Sequence, residues 1–439
     1  MELLLPPFQG DDERHHFHRA MQLANGHLLP LTEPNAPSKQ RSLAPVGDWF
    51  SPGIETLRDM FSVDTVIARG RKFDLNYIEQ AWKVTNGEGR SFIKLPTSAI
   101  YPPTLYIPQI IAISIVQNFT KHPLALMYVA RLAVGLATVL LIALAMDSNH
   151  RTAPFMATIL IIPTVQCMMG SLSGDPFFLA SSMAFIVLCF PDHDDGCGGR
   201  MWLKGALLLV IYSKFAYAPL ALLSFRDGRD RPWRRWLTVM IPGIIVLGWL
   251  VIAHNLVSIS PIVGRTVDPW AQLKGIVDHP MRFIVIIADD IISNGGGYIV
   301  RAVGTITQYP LVSVSWPHKV AIFVVLAGAA LMSSGGTAAR ATPRSLAGIS
   351  SDLGMLGVTA GATMALIETA LYLMFTDLGA PFVEGVQGRY LLPLIIMSGV
   401  AISLFPAQFA MLTWRRWVAV AYVASLTATL WKMVELYYD

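Results

Sequence analysis

Long apolar runs fill the sequence from residue 104 to the C-terminus, with short polar connections between them. A helix needs about 20 predominantly apolar residues to span the hydrocarbon core of a bilayer. Charged residues make up only 14% of the chain, whereas a soluble domain carries about 25%. Because this charge is too sparse to cover a core with a solvated surface, lipid must cover the rest. The sequence therefore predicts an all-α polytopic membrane protein, since helices satisfy their own backbone hydrogen bonds in lipid.

About ten membrane helices are expected from these runs. The apolar segments lie near residues 104–119, 123–145, 154–171, 176–190, 202–225, 237–256, 318–333, 354–377, 389–411 and 417–434. The first segment is short enough to lie beside the membrane. The run at 202–225 carries Lys214 in its middle, which favours two half-helices that enter and leave the membrane on one side.

Basic residues between the segments indicate which side of the membrane each loop occupies. The arginines of these loops are Arg151, Arg200, Arg226, Arg229, Arg231, Arg234, Arg235, Arg340, Arg344, Arg415 and Arg416. They fall on one side if residues 202–225 form a hairpin, and the positive-inside rule makes that side cytoplasmic. The opposite side receives residues 1–103 and an outer loop at about 257–317. We therefore divide the chain into an extracytoplasmic or interfacial segment, 1–103, and a transmembrane domain, 104–439.

Residues 1–103 contain no run long enough to span a membrane, and no signal peptide opens them. Apolar residues at helical spacing around 52–62 and 76–84 predict two helices at the interface. Because a segment of this length must be carried across the membrane, we expect a first helix to be encoded upstream of Met1.

Composition and motifs exclude several functional classes. The net charge of +4 is modest and the arginines lie in loops, so no nucleic-acid surface is expected. Cys167, Cys189 and Cys197 form no CxxC pair, so no disulfide framework or zinc site follows from them. The sequence also lacks the GxxxxGK[ST], HExxH and GxSxG motifs.

The densest polar cluster, residues 11–19, contains three carboxylates and three histidines. A carboxylate at a membrane surface can act as general base toward a hydroxyl, or hold a divalent cation. Asp12 and His16 are four residues apart and share a face if this stretch is helical. The alternative is a solvated segment that enters the interface.

Two motifs mark the edges of apolar segments. Tyr101 precedes paired prolines, which suit a headgroup-level anchor, and it could also line a sugar site. Asp175 precedes Pro176, as a helix N-cap would, although a second role stays open.

Cationic residues near or within the segments suggest phosphate contacts. Arg131 and Lys214 lie inside apolar runs, where a charge either snorkels to the surface or faces a polar interior. Arg389 follows Gly388 and offers a planar donor fork that suits phosphate, with Tyr390 beside it as the alternative interfacial anchor. Asp289 and Asp290 interrupt a run of isoleucines and predict an amphipathic interfacial helix.

Several motifs occur in a fixed order along nearly the whole chain. They are Pro6-Pro7-Phe8-Gln9, Asp12-Glu13, His16-Phe17, Tyr101-Pro102-Pro103, Tyr106, Pro108, Ser173-Gly174-Asp175, Gln387-Gly388-Arg389-Tyr390 and Pro393. Together they resemble a bacterial family of multi-pass membrane proteins of formerly unknown function that is grouped with the GT-C-fold glycosyltransferases. The resemblance implies a GT-C-like helix bundle in the bacterial inner (plasma) membrane.

The resemblance also implies site residues. GT-C enzymes take a sugar from a polyprenyl-phosphate or pyrophosphate donor on the non-cytoplasmic side, and an acidic residue of the first outer loop serves as base or metal ligand. Asp12 and Glu13 match that position, with His16 beside them, and a divalent cation (Mg or Mn) is the candidate cofactor. Arg389 matches the late arginine that binds donor phosphate, and Arg131 and Lys214 are further candidates. Asp175, Tyr101 and Tyr390 complete the predicted substrate site.

We expect a membrane glycosyltransferase that moves a sugar from a polyprenyl-phosphate donor to a glycan or lipid acceptor, in cell-envelope polysaccharide biosynthesis. The alternative is a transporter or flippase of a lipid-linked substrate. Transporters often carry internal repeats with paired broken helices, and this sequence shows one interrupted segment and no evident repeat. A non-catalytic assembly partner ranks third, because it would not need carboxylates and an arginine on one face.

Overall fold

Helices make up most of the described chain in a computed structural model. The structure describes residues 4–32, 46–61, 72–95, 98–191, 200–226, 231–256, 266–308, 311–335, 346–405 and 411–438. Cys197, Arg229, Arg340 and Arg344 lie outside these residues, so the topology assigned to their loops stays a prediction.

The α-helices are named in chain order. They are α1 (Glu13–Ala24), α2 (Pro52–Met60), α3 (Leu75–Lys83), α4 (Ile107–Val116), α5 (Pro123–Ser148), α6 (Ala153–Ile159), α7 (Pro163–Met169), α8 (Asp175–Cys189), α9 (Arg200–Ile211), α10 (Pro232–Leu256), α11 (Pro269–Asp278), α12 (Pro280–Gly304), α13 (Trp316–Gly335), α14 (Leu346–Met374), α15 (Leu392–Ser403) and α16 (Met411–Tyr437). Short 3-10 helices span Ser98–Ile100, Pro103–Tyr106, Phe215–Phe225 and Gly388–Leu391.

Six of these helices are long and apolar enough to cross a membrane by length and composition: α5, α10, α12, α13, α14 and α16. In α5, Leu136, Leu140 and Leu144 are more than half exposed, and they follow one another at helical spacing. An apolar stripe of this kind has lipid as its natural neighbour. The prediction of an all-α polytopic membrane protein is supported, while the count of ten helices and the GT-C arrangement stay predictions.

Breaks within two predicted segments have simple causes. The segment at 154–171 is not one span, because α6 ends at Ile159 and Pro163 opens α7 at its first position, where the missing N–H costs nothing. The predicted break in 202–225 is confirmed. There α9 ends at Ile211, and a 3-10 helix begins at Phe215, directly after Lys214.

The segment 257–317, which we assigned to an outer loop, contains the 25-residue helix α12. A helix around Asp289 and Asp290 is confirmed, and by length and composition it is a candidate span, whereas the amphipathic interfacial position stays a prediction. After it, β4 (Thr305–Thr307) pairs with β5 (Val312–Ser313) in an antiparallel ladder. The division of the chain into an outer segment and a membrane domain remains a prediction.

The N-terminal segment folds into helices and a small sheet. The two helices predicted near 52–62 and 76–84 are α2 and α3. The sequence did not indicate the antiparallel sheet of β1 (Leu31–Thr32), β2 (Val46–Phe50) and β3 (Ser91–Lys94), in the order β1-β2-β3. Gly47 and Asp48 are poor strand formers, and so β2 depends on its partners. A Cβ at Gly47 would lie 2.2 Å from the carbonyl oxygen of Ile93, so the pairing needs glycine there.

Close packing at three glycines fixes the elements around the site. A Cβ at Gly10, just before α1, would lie 2.6 Å from the Cβ of Ser171, and one at Gly174 would lie 2.4 Å from the Cγ of Leu105. A Cβ at Gly388 would lie 2.3 Å from the backbone nitrogen of Ala302 in α12. Close contacts at these glycines therefore hold three elements in place: the start of α1, the start of α8 and the 3-10 helix Gly388–Leu391.

Candidate functional site

Most of the predicted site residues converge on the guanidinium of Arg389. The contributing elements are the turn before α1, the start of α8, the break before the 3-10 helix Phe215–Phe225, and the 3-10 helix Gly388–Leu391. They bring together Asp11, Asp12, Asp175, Lys214 and Arg389. We call these five residues the charged cluster.

Arg389 contacts three carboxylates. Its Nη1 lies 3.1 Å from Asp11 Oδ2, its Nη2 lies 3.0 Å from Asp12 Oδ2, and its Nε lies 3.5 Å from Asp175 Oδ2. The Arg389 side chain is only 9% exposed, and its guanidinium carbon lies 5.7 Å from the centre of the Tyr390 ring. The guanidinium of Arg389 is thus fixed in place, and its planar set of donors also suits phosphate oxygens.

Lys214 is the second cation of the cluster. Its ammonium pairs with Asp175 Oδ1 and lies 5.2 Å from the centre of the Phe178 ring. Since Asp175 also faces Arg389, this one carboxylate holds both cations together. The N-cap role considered for Asp175 is wrong, because Gly174 is the N-cap of α8 and Asp175 is its first residue, with no capping bond from a side chain.

Asp12 is the most accessible carboxylate of the cluster, with a side chain that is 60% exposed. It precedes α1 with a φ of 58°, in the left-handed region that non-glycine residues rarely adopt. It makes no side-chain cap to the helix. Strained backbone of this kind persists where the surrounding structure holds it, and here it turns the carboxylate toward Arg389.

Asp11 was not among the predicted site residues, although it adjoins Asp12 in the polar cluster. Its Oδ1 accepts a hydrogen bond from the backbone N–H of Gln308, at 3.2 Å, and its Oδ2 faces Arg389. Burial raises the pKa of Asp11 above its ordinary value, with Asp12 and Asp175 acting in the same direction against Arg389 and Gln308. Asp11 therefore joins the loop after α12 to the charged cluster.

His16 lies behind the cluster, between two tyrosines. Its Nδ1 lies 2.7 Å from the hydroxyl of Tyr106, and its ring stacks on Tyr101 with centroids 6.0 Å apart. Burial, followed by Lys214 and Arg389, lowers the pKa of His16 to about 4 against the opposing effect of Asp175 and Asp12. The ring is therefore neutral near pH 7, which suits it to position the tyrosines rather than to carry a charge.

Glu13 and Arg131 bind each other and stand apart from the charged cluster. Arg131 donates to Glu13 Oε1 from Nε and to Oε2 from Nη2, both at 2.6 Å, and both side chains are 0% exposed. Arg131 also donates to the carbonyls of Leu5 and Pro6. We predicted both residues for the site, but a fully enclosed ion pair has a structural role, which here is to hold α1 to α5. We therefore leave them out of the reacting groups.

Two clefts meet at Arg389. One has many polar residues around it, among them Gln9, Asp11, Ser171, Ser173 and Gln308. The other combines Asp175 and Lys214 with aromatic and apolar side chains, namely Phe178, Leu179, Tyr217, Tyr390 and Pro393. We call them the polar cleft and the apolar cleft.

Tyr217 and Phe178 were missed by the sequence analysis. Tyr217 lies three residues after Lys214 in a 3-10 helix, the spacing that stacks side chains, and its hydroxyl donates to the backbone carbonyl of Tyr390 at 2.9 Å. Phe178 packs on Tyr217 with ring centroids 4.6 Å apart. Both aromatic residues lay in apolar runs, where nothing distinguished them from lipid-facing or core residues.

The residues predicted to hold a metal do not form a shared site. Asp12 faces Arg389 and Glu13 faces Arg131, so the two carboxylates turn to different cations. Within the ranges that the structure describes, no three His, Cys, Asp or Glu side chains come together as a metal site. The predicted cation therefore finds no matching set of ligands among the described residues.

Comparison with known proteins places the chain in a family. The family described as "Predicted membrane protein (DUF2142)" matches residues 2–398. No curated protein matches the chain, and no solved structure does so. The family match includes the N-terminal turn, α8, Lys214 and Arg389, and so it covers the whole charged cluster. The chain therefore belongs to this family of predicted membrane proteins.

Proposed function

We propose that the protein transfers a sugar from a polyprenyl-phosphate donor to a glycan or lipid acceptor of the bacterial cell envelope. One observation carries the proposal: Arg389 and Lys214 lie where a polar cleft meets an apolar cleft, with the exposed carboxylate of Asp12 against Arg389. A lipid-linked sugar phosphate has the same three parts in the same order: an apolar chain, an anion and a polar sugar.

The apolar cleft suits the lipid end of the donor. Phe178, Leu179 and Pro393 give it apolar walls, and Lys214 and Arg389 stand at its polar limit. Phosphate oxygens can take charge-assisted hydrogen bonds from both cations, and the planar fork of Arg389 can bind two oxygens at once. The resemblance to GT-C enzymes, in which a late arginine has this role, supports the assignment of that role to Arg389.

The polar cleft suits the sugar. Gln9, Ser171 and Ser173 line it and present amide and hydroxyl groups, which are the kinds of group that bind sugar hydroxyls. The Oε1 of Gln9 is buried and has no hydrogen-bond donor among the described residues. A sugar hydroxyl would satisfy this acceptor, which is otherwise costly to leave unpaired.

Binding of the phosphate would free Asp12. The cluster holds three carboxylates and two cations, so an arriving phosphate must displace a carboxylate from Arg389. Asp175 is held by both cations and Asp11 by the Gln308 N–H, whereas Asp12 is mostly exposed and has Arg389 as its ion-pair partner. Asp12 is therefore the carboxylate that the phosphate displaces from Arg389. Once displaced, it is free to act as a base beside the bound donor.

The transfer then balances as a single displacement. Asp12 takes the proton of an acceptor hydroxyl, and the acceptor oxygen forms a bond to the anomeric carbon of the sugar. The bond from that carbon to the phosphate oxygen breaks, and its electron pair stays on the phosphate as polyprenyl phosphate leaves. Arg389 and Lys214 stabilise the charge that develops on the leaving group. His16 and Tyr101 brace the turn that carries Asp12, and Tyr390 fixes Arg389.

The test is sugar transfer by the full-length chain in vesicles. Labelled polyprenyl-phosphate sugars of several kinds are supplied together with envelope glycan and lipid acceptors, and the label is followed in the product. Transfer of label to an acceptor with release of polyprenyl phosphate supports the proposal. Label that crosses the bilayer unaltered, with no product from any donor, overturns it in favour of a transporter or flippase.

A further inference from the structure

Helix α11 presents an apolar stripe on its exposed surface. Trp270, Leu273 and Val277 follow one another at helical spacing, and the side chains of Trp270 and Val277 are 68% and 69% exposed. Lys274 and Asp278 lie four residues apart on the adjoining face, and both are exposed. An apolar stripe that includes a tryptophan and has charged groups beside it is typical of a helix that lies at a membrane interface.

The next helix along the chain shows where the membrane lies relative to α11. Helix α12 begins at Pro280, two residues after the end of α11, and it is a candidate span by length and composition. Its first turns contain Met281, Ile284 and Val285, and each of these side chains is more than half exposed. Lipid is the natural neighbour of exposed apolar side chains on a spanning helix, and so lipid also lies next to α11.

A protein partner fits this stripe less well than lipid does. A stable interface between two proteins takes about 20–30 residues from each side. The stripe consists of three apolar side chains on a helix of 10 residues, and charged residues border it. Lipid needs no matching surface of that size, because headgroups and acyl chains adapt to a short amphipathic helix.

The opposite face of α11 holds the segment 375–387, which follows α14. Gln272 is 3% exposed, donates from Nε2 to the carbonyl of Tyr372 at 3.1 Å, and accepts at Oε1 from the Gly379 N–H at 2.8 Å. Arg282, near the start of α12, donates to the carbonyl of Gly379 at 2.8 Å. Both backbone polar groups of Gly379 are therefore bound by the pair of helices α11 and α12.

We propose that α11 binds membrane phospholipid through Trp270, Leu273 and Val277, with the apolar stripe at the boundary between headgroups and acyl chains. Because Gln272 lies on the other side of the helix, lipid that fixes α11 also fixes the segment 375–387. This segment leads directly into the 3-10 helix that carries Arg389. The lipid contact itself does not depend on the proposed sugar transfer.

Spin labels on α11 of the full-length protein in phospholipid vesicles test the lipid contact. The labels are attached at Trp270→Cys, Leu273→Cys, Val277→Cys and Asp278→Cys, after the three native cysteines are replaced by alanine. Labels on the stripe should collide more often with oxygen, which dissolves in lipid, than with a water-soluble nickel complex, and the Asp278→Cys label should show the reverse. Equal access of the nickel complex to all four labels would overturn the proposal. Dipolar broadening on the stripe would also overturn it, because a second copy of the chain would then cover the stripe.

Hydrogen exchange tests the link between lipid and the segment 375–387 in a protein that keeps its cysteines. Leu273→Asp should make this segment exchange about tenfold faster, because the burial of the leucine side chain in lipid is lost. Gly275→Asp is the matched control, since a Cβ at Gly275 meets nothing within 4 Å, and the segment should exchange there as in wild type. Equal exchange in the two variants would overturn the link. Faster exchange spread evenly over the whole chain in Leu273→Asp would contradict it too, because that result would show general unfolding.

Discussion

Glu13→Gln is the substitution whose effect on stability follows most directly from the structure. Glu13 Oε1 accepts hydrogen bonds from Arg131 Nε at 2.6 Å and from the Leu172 N–H at 2.7 Å, and Oε2 accepts from Arg131 Nη2 at 2.6 Å. Glutamine is nearly the same size, but its amide group would present N–H donors to a guanidinium that is itself only a donor. The charge of Arg131 would then remain buried without compensation.

The magnitude follows from the burial of both partners. Removing one member of a buried ion pair costs about 3–5 kcal/mol, because the other charge is left without its partner. Both side chains here are 0% exposed, which places the pair at the upper end of that range. Replacing both residues, as Glu13→Leu with Arg131→Met, should recover most of the loss, since apolar pairs often substitute well for buried ions.

Chemical unfolding in detergent micelles, followed by tryptophan fluorescence, measures the change in the free energy of unfolding. Glu79→Gln is the matched control, because Glu79 pairs with Lys83 at 3.0 Å while both side chains are 72% exposed. This exposed helix pair should contribute about 0.5 kcal/mol or less. If Glu13→Gln and Glu79→Gln unfold at the same denaturant concentration, the assignment of Glu13–Arg131 as a stabilising structural ion pair is wrong.

Three further predictions concern the site and its supports. Arg389→Ala should weaken binding of polyprenyl phosphate to the purified protein by about ten- to a hundredfold, measured by equilibrium binding, and Arg58→Ala should not. Gly388→Ala should lower the unfolding free energy by about 1–3 kcal/mol, because its Cβ would meet the backbone of Ala302, and unchanged stability would contradict that packing. His16 has its pKa lowered to about 4 by burial, so its stabilising contribution is present above pH 6.5 and is lost as the pH falls toward 4. Acid titration should therefore cost wild type of the order of 3 kcal/mol more than His16→Gln, and parallel titration curves would count against it.

Four residues of the charged cluster, Asp12, Asp175, Lys214 and Arg389, could be recognised singly from the sequence, because each belongs to a local motif at the edge of an apolar run or interrupts one. Asp12 lies in the acidic turn, Asp175 precedes Pro176, and Lys214 interrupts a segment. Local patterns of this kind predict which residues stand at a membrane edge. They do not report which of them meet, and the convergence on Arg389 is a property of the fold.

Several other missed features depend on partners that are distant in sequence. Glu13 and Arg131 are separated by 118 positions, and nothing in either local sequence marks them as a pair. Strand β2 forms because it pairs with β3, since its own residues Gly47 and Asp48 disfavour a strand. Asp289 and Asp290 interrupt the apolar run of helix α12, which we assigned to an outer loop, and only the fold shows that Asp290 is buried.

The rate of sugar transfer by Asp12→Asn tests the central claim most directly. With saturating donor, the proposed base role predicts a rate at least about a hundredfold below that of wild type, with donor binding intact. Asp59→Asn is the matched control, since Asp59 is 63% exposed and pairs with Arg58 at 2.7 Å outside the site. A wild-type rate in that control, together with this loss of rate in Asp12→Asn, would establish Asp12 as the base. A rate of transfer by Asp12→Asn within about twofold of wild type would contradict the account.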